Sequence, residues 1–174
     1  LWARDRPLIV TSLGNDTILK ARGVEAVARD WGGRSAYVAD PEGNLFCVLE
    51  PRELYRDTGP IAAVVVHCEN PREMARFWSA ATDWDVHEVT DETARLRSAA
   101  GVGPYLEFVR ALDLGAVRSR IHLDVKPYAG DDQAREVARL LESGAHTVDI
   151  GQGDVSWVVL TDTEGNEFCV LAPG

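Results

Sequence analysis

The segment Arg120-Ile121-His122-Leu123-Asp124 alternates charged or titratable side chains with apolar ones. Alternate residues of a β-strand share one face, so we expect Arg120, His122 and Asp124 to lie together on one face of a strand. A carboxylate beside an imidazole can set its tautomer and raise its basicity, as a general base requires. The alternative is a purely structural hydrogen-bond network of the same three residues. His122 is therefore the first candidate catalytic residue.

Three further segments contain side chains that could bind or react. Glu107 follows Tyr105 by two residues, and a carboxylate in a cavity can act as a base or anchor a cationic ligand. Alternation places Trp157 on the inner face of its strand, where an indole would stack on a small organic ligand or simply fill the core. Cys169 is expected on that face as a weakly polar group, and not as a reactive thiolate, because no cation or helix N-terminus is expected beside it.

An internal repeat reveals the organisation of the chain. Residues 37–51 read YVADPEGNLFCVLEP and residues 159–173 read VLTDTEGNEFCVLAP, with nine of fifteen positions identical. In each copy an apolar run reaches an Asp, turns through Glu-Gly-Asn and resumes as a second apolar run, which predicts a β-hairpin. The copies are 122 residues apart, so the repeating unit is a small domain.

The two copies differ in how much sequence precedes them. Asp162 is residue 102 counted from Ile61, whereas Asp40 has only residues 1–39 before it. We therefore expect residues 1–50 to be the C-terminal half of an incomplete first domain and residues 61–174 to be a complete second domain. The alternative is an N-terminal half-domain that is complete as it stands. Residues 51–60 are polar and rich in proline, which is typical of a linker.

Residues 61–174 contain the pattern β-α-β-β-β twice, which predicts an α+β fold. In the first module we expect strands at 61–68, 85–89, 94–97 and 105–110, with a helix that Asn70 caps and that ends near Asp83. In the second we expect strands at 120–125, 146–150, 156–161 and 167–171, with a helix at 131–143. Each helix must bury its apolar stripe, so the strands should form one curled mixed sheet with helices on its convex face and a cavity on its concave face.

Composition excludes several classes of protein. The formal net charge of −10 would repel a phosphate backbone, so no nucleic-acid partner is expected. The sequence contains neither a long apolar run nor a signal-peptide pattern, so we expect no membrane association and a cytoplasmic location. The three cysteines form no CxxC pair, which suits a reducing compartment.

The sequence resembles the vicinal-oxygen-chelate superfamily (glyoxalase, bleomycin resistance protein, dioxygenase), and within it the glyoxalase-like domain subgroup. The resemblance covers residues 61–174 and implies the paired βαβββ fold of the superfamily. It also implies that Glu107 and Tyr105 point into the cavity, with an ion pair between Glu107 and Arg120 as the alternative role of that carboxylate. The matching residues are Asn70-Pro71, 75–80, Trp84, 104–108, 120–124, Gly144-Ala145, 156–160, Asp162 and 164–171.

Metal-dependent members of the superfamily hold a divalent ion through His or Glu at four positions, on the first and last strand of each module. By resemblance these positions fall here on Ala63, Glu107, Arg120 and Cys169, of which only Glu107 matches. Alanine has no donor atom and arginine repels a cation, whereas a catalytic site needs about three ligands. We therefore predict no metal cofactor; a displaced set of Glu107, His122 and Cys169 is the alternative.

Three functions remain open from the sequence. The first is a metal-independent protein that binds a small organic ligand through Arg120, Asp124, Tyr105, Trp157 and Cys169. The second is a lyase, isomerase or dioxygenase that uses Glu107 and His122 as acid and base, or an atypical divalent metal; glyoxalase I activity itself is not expected. The third is a role in regulation or dimerisation, since such folds commonly pair modules within or between chains, and a homodimer is compatible with it. The fold alone does not choose among them.

Overall fold

The computed structural model describes residues 25–28, 35–39, 45–49, 51–111 and 122–173. Contacts divide the chain into two compact units, Leu1–Arg56 and Asp57–Gly174. Arg120 and the turn that contains Asp40 lie outside the described residues.

The first unit contains a three-stranded antiparallel sheet in the order β1-β2-β3. β2 and β3 form the antiparallel pair expected of the first repeat copy, and Tyr37 pairs with Cys47. A short 3-10 turn, Glu53–Tyr55, follows. The strands are β1 (Glu25–Ala28), β2 (Ser35–Ala39) and β3 (Leu45–Leu49).

The second unit consists of two βαβββ modules. In each module the first strand pairs in parallel with the last one and the remaining pairs are antiparallel, which gives the sheet orders β4-β7-β6-β5 and β8-β11-β10-β9. The first module contains β4 (Ala63–Cys68), α1 (Pro71–Thr82), β5 (Asp85–Val89), β6 (Thr93–Arg97) and β7 (Tyr105–Arg110). The second contains β8 (Leu123–Val125), α2 (Gln133–Glu142), β9 (His146–Thr147), β10 (Val158–Thr161) and β11 (Glu167–Val170).

The expected α+β fold with paired βαβββ modules is confirmed, with one difference. The described strands of the second unit form two four-stranded sheets, one for each module, in place of the single curled sheet that we expected. Each sheet is mixed, as predicted, because one of its three pairs is parallel.

Helix α1 begins and ends where its sequence predicts. The side chain of Asn70 accepts a hydrogen bond from the backbone N–H of Glu73 at 3.3 Å, and Pro71 occupies the first helical position. The first backbone N–H groups of a helix lack partners within it. The Asn70 side chain accepts from one of them, and Pro71 has no N–H group to leave unpaired. The helix ends at Asp83, which has a left-handed backbone with φ of 55°.

The two modules share one hydrophobic core. Phe168 of β11 packs edge-on against Phe77 and Trp78 of α1, with ring centroids 5.8 and 5.2 Å apart. Both phenylalanines are fully buried, and each such side chain contributes roughly 1.5–3 kcal/mol by leaving water. Helix α2 adds the buried Leu140, whereas the neighbouring Leu141 is 36% exposed.

Strand β9 is shorter than the predicted 146–150, and local hydrogen bonds explain why. The side chain of Gln152 accepts from the backbone N–H of Ile150, and that of Asp149 accepts from Gly151. Such side-chain acceptors compete with a β-ladder for the same N–H groups. Gly151 also has a left-handed φ of 82°, so the chain turns where we expected the strand to continue.

Candidate functional site

Three of the predicted site residues come together on the sheet of the second module. Cys169 of β11 pairs with Asp124 of β8 in parallel register, and His122 lies two residues before Asp124. His122 Nε2 is 3.3 Å from Asp124 Oδ1 and 3.6 Å from Cys169 Sγ. Each residue therefore offers a ligating atom within 4.8 Å of those of the other two. We call these three residues the sheet cluster.

The sheet cluster is open to solvent on one side. The side chains of His122 and Asp124 are 52% and 50% exposed, whereas Cys169 is buried. A small molecule or an ion can reach the imidazole and the carboxylate directly, with the sulfur atom beneath them.

The sheet cluster does not have the geometry of a cysteine nucleophile. A relay from carboxylate through imidazole to nucleophile uses both ring nitrogens of the histidine, but here Nε2 makes both contacts. Burial raises the pKa of the Cys169 thiol, and the charge and hydrogen bond of Asp124, followed by the charge of Glu167, raise it further. The thiol is therefore protonated at neutral pH, as we expected from the sequence.

Glu107 lies on the sheet of the first module, where Arg95 holds it. Arg95 Nε is 3.0 Å from Glu107 Oε1, and a second contact joins Arg95 to Glu88. The antiparallel registers place Glu107 opposite Arg95 and Arg95 opposite Glu88. Arg95 is thus one partner of Glu107, whereas Arg120, which we considered for this role, lies outside the described residues.

Tyr105, a predicted ligand-binding residue, is buried between two cationic or titratable neighbours. The guanidinium of Arg97 lies 5.0 Å from the centroid of its ring, and the ring of His87 packs edge-on at 5.5 Å. Arg97 is also buried, and its hydrogen bonds to the carbonyl oxygens of Asp57 and Gly103 offset the cost of burying the guanidinium. Arg95 and Arg97 are alternate residues of β6, and this alternation is the sequence signal that could have identified them as neighbours of Glu107 and Tyr105.

Trp157 lies one residue before β10 and is 40% exposed. Its indole is therefore accessible to a ligand and is not core filler. Val159, two residues later, pairs with Cys169, so Trp157 is close in sequence to the strand that borders the sheet cluster.

At two of the four metal-binding positions of the superfamily, Ala63 and Glu107, the residues do not fit a metal ion. Ala63 pairs with Tyr105 on β4 and offers no donor atom. Glu107 is in an ion pair with a guanidinium group. Of the displaced set that we considered, His122 and Cys169 come together, and the third donor of that group is Asp124.

A cleft of about 700 Å³ lies between the end of α1 and the first half of α2. Its lining includes the aromatic rings of Trp84 and Tyr128 and the end of β8 at Asp124. Asp124 is thus both a member of the sheet cluster and a lining residue of the cleft. A smaller cleft of about 410 Å³ lies beside the turn between β10 and β11.

Comparisons with known proteins agree with this architecture. The family model described as a glyoxalase-like domain matches residues 63–171. No curated protein matches the chain. Neither described helix has the length and apolar character that crossing a lipid bilayer requires.

Several solved structures share the fold at low sequence identity. A glyoxalase I variant from Zea mays is 15% identical with a TM-score of 0.59, over 88% of this chain and 61% of that one. The fosfomycin resistance protein FosX from Mesorhizobium loti is 15% identical with a TM-score of 0.50, over 67% of this chain and 92% of that one. A glyoxalase/bleomycin resistance protein/dioxygenase family enzyme from Burkholderia phytofirmans is 14% identical with a TM-score of 0.50, over 63% and 94%.

Proposed function

This chain belongs to the glyoxalase-like domain family through residues 63–171, and from that membership we propose that it binds a small organic molecule. We propose further that binding needs no metal ion at the four positions that metal-dependent members of the superfamily use. The ligand class that fits best is apolar or aromatic, with a positive charge. A sequestering or resistance-type role follows from such binding, and FosX is a structural relative with a resistance function in its name.

The ion pair between Arg95 and Glu107 is the main support for ligand binding without a metal ion. The Arg95 guanidinium lies 3.0 Å from the Glu107 carboxylate, and this cationic partner competes with a metal ion for the same oxygen atoms. Glu107 is 8% exposed, and a buried carboxylate requires a partner of opposite charge. Arg95 supplies that charge, so the fold does not depend on a cation there.

Two features support the class of ligand. The cleft of about 700 Å³ lies within the range of roughly 300–1,000 Å³ that is usual for small-molecule sites. Trp84 and Tyr128 offer aromatic surfaces there. Acidic residues outnumber basic ones in the lining by five to three: Asp83, Asp124, Asp131, Asp132 and Glu136 against Lys126, Arg135 and Arg139. Aromatic faces and carboxylates together favour an aromatic cation.

A lyase, isomerase or dioxygenase reaction with Glu107 as the base is the weaker candidate. Arg95 holds the Glu107 carboxylate on the first sheet, whereas His122 lies in the sheet cluster of the second module. A homodimer and a cytoplasmic location also remain predictions.

A thermal-shift screen in the presence of a chelator tests the proposal. A library of aromatic amines, neutral aromatics and aromatic carboxylates would be screened against the full chain, and we expect the amines to stabilise it most. A ligand at a hundred times its dissociation constant adds roughly 2.7 kcal/mol to the free energy of unfolding.

Variants then locate the binding site. We expect Trp84→Ala and Tyr128→Ala, which remove the two aromatic rings from the lining of the cleft, to lose most of the stabilisation by the best ligand, and His67→Ala, an exposed histidine on the first sheet, to keep it. If both test variants retain full binding, the site assignment is wrong. If no member of the library stabilises the chelated protein, the proposed function is wrong.

A further inference from the structure

The sheet cluster has donor separations that match a tetrahedral metal site. Zinc binds sulfur at about 2.3 Å and nitrogen or oxygen at about 2.0 Å, so the tetrahedral S–N and N–O edges are about 3.5 and 3.3 Å. The separation of Cys169 Sγ from His122 Nε2 is 3.6 Å, and that of His122 Nε2 from Asp124 Oδ1 is 3.3 Å. These two separations match tetrahedral edges, and all three ligating atoms lie within 4.8 Å of one another, so side-chain adjustment alone can bring the three donors onto one ion.

The backbone holds these donors in place. The parallel register of β8 and β11 sets Asp124 beside Cys169, and alternation brings His122 to the same face. Ligands fixed on strands lose little conformational freedom on binding, which favours affinity. The half-exposed imidazole and carboxylate leave a fourth position facing solvent.

We propose that His122, Asp124 and Cys169 form a three-ligand site for a thiophilic divalent cation, with Zn²⁺ as the natural occupant and a fourth position open to water or a ligand. Thiolate is a soft ligand that selects Zn²⁺ over Mg²⁺ or Ca²⁺, and imidazole also suits zinc. The bound ion replaces the thiol proton, which is released to solvent.

This site differs from the four-position centre of the superfamily. The two share Cys169, but the proposed site lies wholly within the second module, whereas the four positions span both modules. Its other two donors are His122 and Asp124, neither of which is at one of the four positions. It goes beyond the proposed function, because the ligand-binding screen is run in a chelator and does not depend on this cation.

Cobalt substitution of the full chain gives a specific readout. Chelator-treated protein would be titrated with Co²⁺ alone, and we expect one ion per chain with a thiolate-to-metal charge-transfer band in the near ultraviolet. Zn²⁺ should abolish the band by displacing Co²⁺. The absence of the band in the wild-type protein would overturn the proposal.

Variants assign the donors. Cys169→Ser should remove the band and weaken Co²⁺ binding by more than roughly 100-fold, because even the outer partners of metal ligands are worth about 10–100-fold. Cys47→Ser is the matched control, since Cys47 occupies the equivalent position in the first repeat copy; its band should be unchanged. A band that persists in Cys169→Ser, or that disappears in Cys47→Ser, contradicts the assignment.

The exposed donors provide a test that does not depend on the core. His122→Ala and Asp124→Asn alter half-exposed side chains, so both variants should fold and melt like the wild type. Each should weaken Co²⁺ binding by more than roughly tenfold, and wild-type affinity in both would refute the site even if Cys169→Ser fails to fold. If Co²⁺ binds as expected but no organic molecule stabilises the chelated protein, only the proposed function is refuted.

Discussion

The indole Nε1 of Trp78 donates a hydrogen bond of 3.1 Å to Oδ2 of Asp162, which joins the helix of the first module to the last hairpin of the second. Asp162 is 1% exposed, and it also accepts from the backbone N–H groups of Glu164 and Asn166 and from the Asn166 side chain. One buried carboxylate thus shapes the hairpin turn and fixes it to α1. The side chains of Asp162 and Asn166 thus have specific roles in the turn of the second copy.

Trp78→Phe should destabilise the second unit by about 1–3 kcal/mol, because the buried Asp162 loses one donor while most of the ring packing remains. Urea unfolding followed by circular dichroism measures the change. Trp157→Phe alters an exposed indole and should stay within about 0.5 kcal/mol of the wild type. Equal effects of the two substitutions would contradict a specific role for the Trp78 hydrogen bond.

The helix of the first module was predictable from local sequence. Asn70, Pro71 and the apolar spacing of Met74, Phe77 and Trp78 specify its start and its buried face, and each has the expected role. These features act over a few residues and do not depend on the rest of the chain. The strand β9 was predicted less well, because hydrogen bonds from Asp149 and Gln152 compete with the ladder.

The candidate site was predictable only in part. Alternation correctly placed His122 and Asp124 on one face, but the neighbour of Asp124 depends on the parallel register between β8 and β11. A register between strands more than forty residues apart is not encoded in either strand alone. The pairing of Glu107 with Arg95 has the same origin, since it depends on the β6–β7 register.

Arg95→Met should destabilise the protein by about 2–4 kcal/mol, because Glu107 stays buried without its guanidinium partner. We expect the double variant Arg95→Met with Glu107→Gln to recover part of this loss, since it removes the charge that Arg95 balances. Glu88→Gln should cost less than about 1 kcal/mol, because Glu88 is 44% exposed and exposed ion pairs contribute little. An additive double-variant cycle in urea unfolding would show that Arg95 and Glu107 do not interact energetically.

The stability of the protein should fall in alkaline solution partly through Cys68. Burial, followed by the charges of Glu164 and Asp162, raises the pKa of this thiol from 9.0 to about 12. The unfolded thiol therefore loses its proton first, so the stabilisation is complete below pH 9 and is lost as the pH rises toward 12. Between these values one proton changes the free energy of unfolding by about 1.4 kcal/mol per pH unit.

Cys68→Ala isolates this contribution. Its free energy of unfolding should decline less steeply between pH 9 and 12 than that of the wild type, measured by urea unfolding at a series of pH values. Cys169→Ala is not a suitable control because it alters the sheet cluster, whereas Cys47→Ala changes an exposed thiol in the first unit. If the wild-type and Cys68→Ala slopes are equal, ionisation of Cys68 is not coupled to unfolding.

Gly144, which follows α2, combines a left-handed φ of 113° with a close neighbour. A Cβ atom there would lie 3.0 Å from Cγ2 of Thr163, so Gly144→Ala brings both backbone strain and a steric contact, at a cost of about 1–3 kcal/mol. Gly130 has a φ of 91°, and a Cβ atom added there would have no neighbour within 4 Å among the described residues, so Gly130→Ala carries the backbone strain alone. Thermal melts should therefore show the larger loss for Gly144→Ala, and adding Thr163→Ser should reduce that loss toward the Gly130→Ala value, because it removes the methyl group. No recovery in the double variant would mean that backbone strain alone excludes side chains at this position.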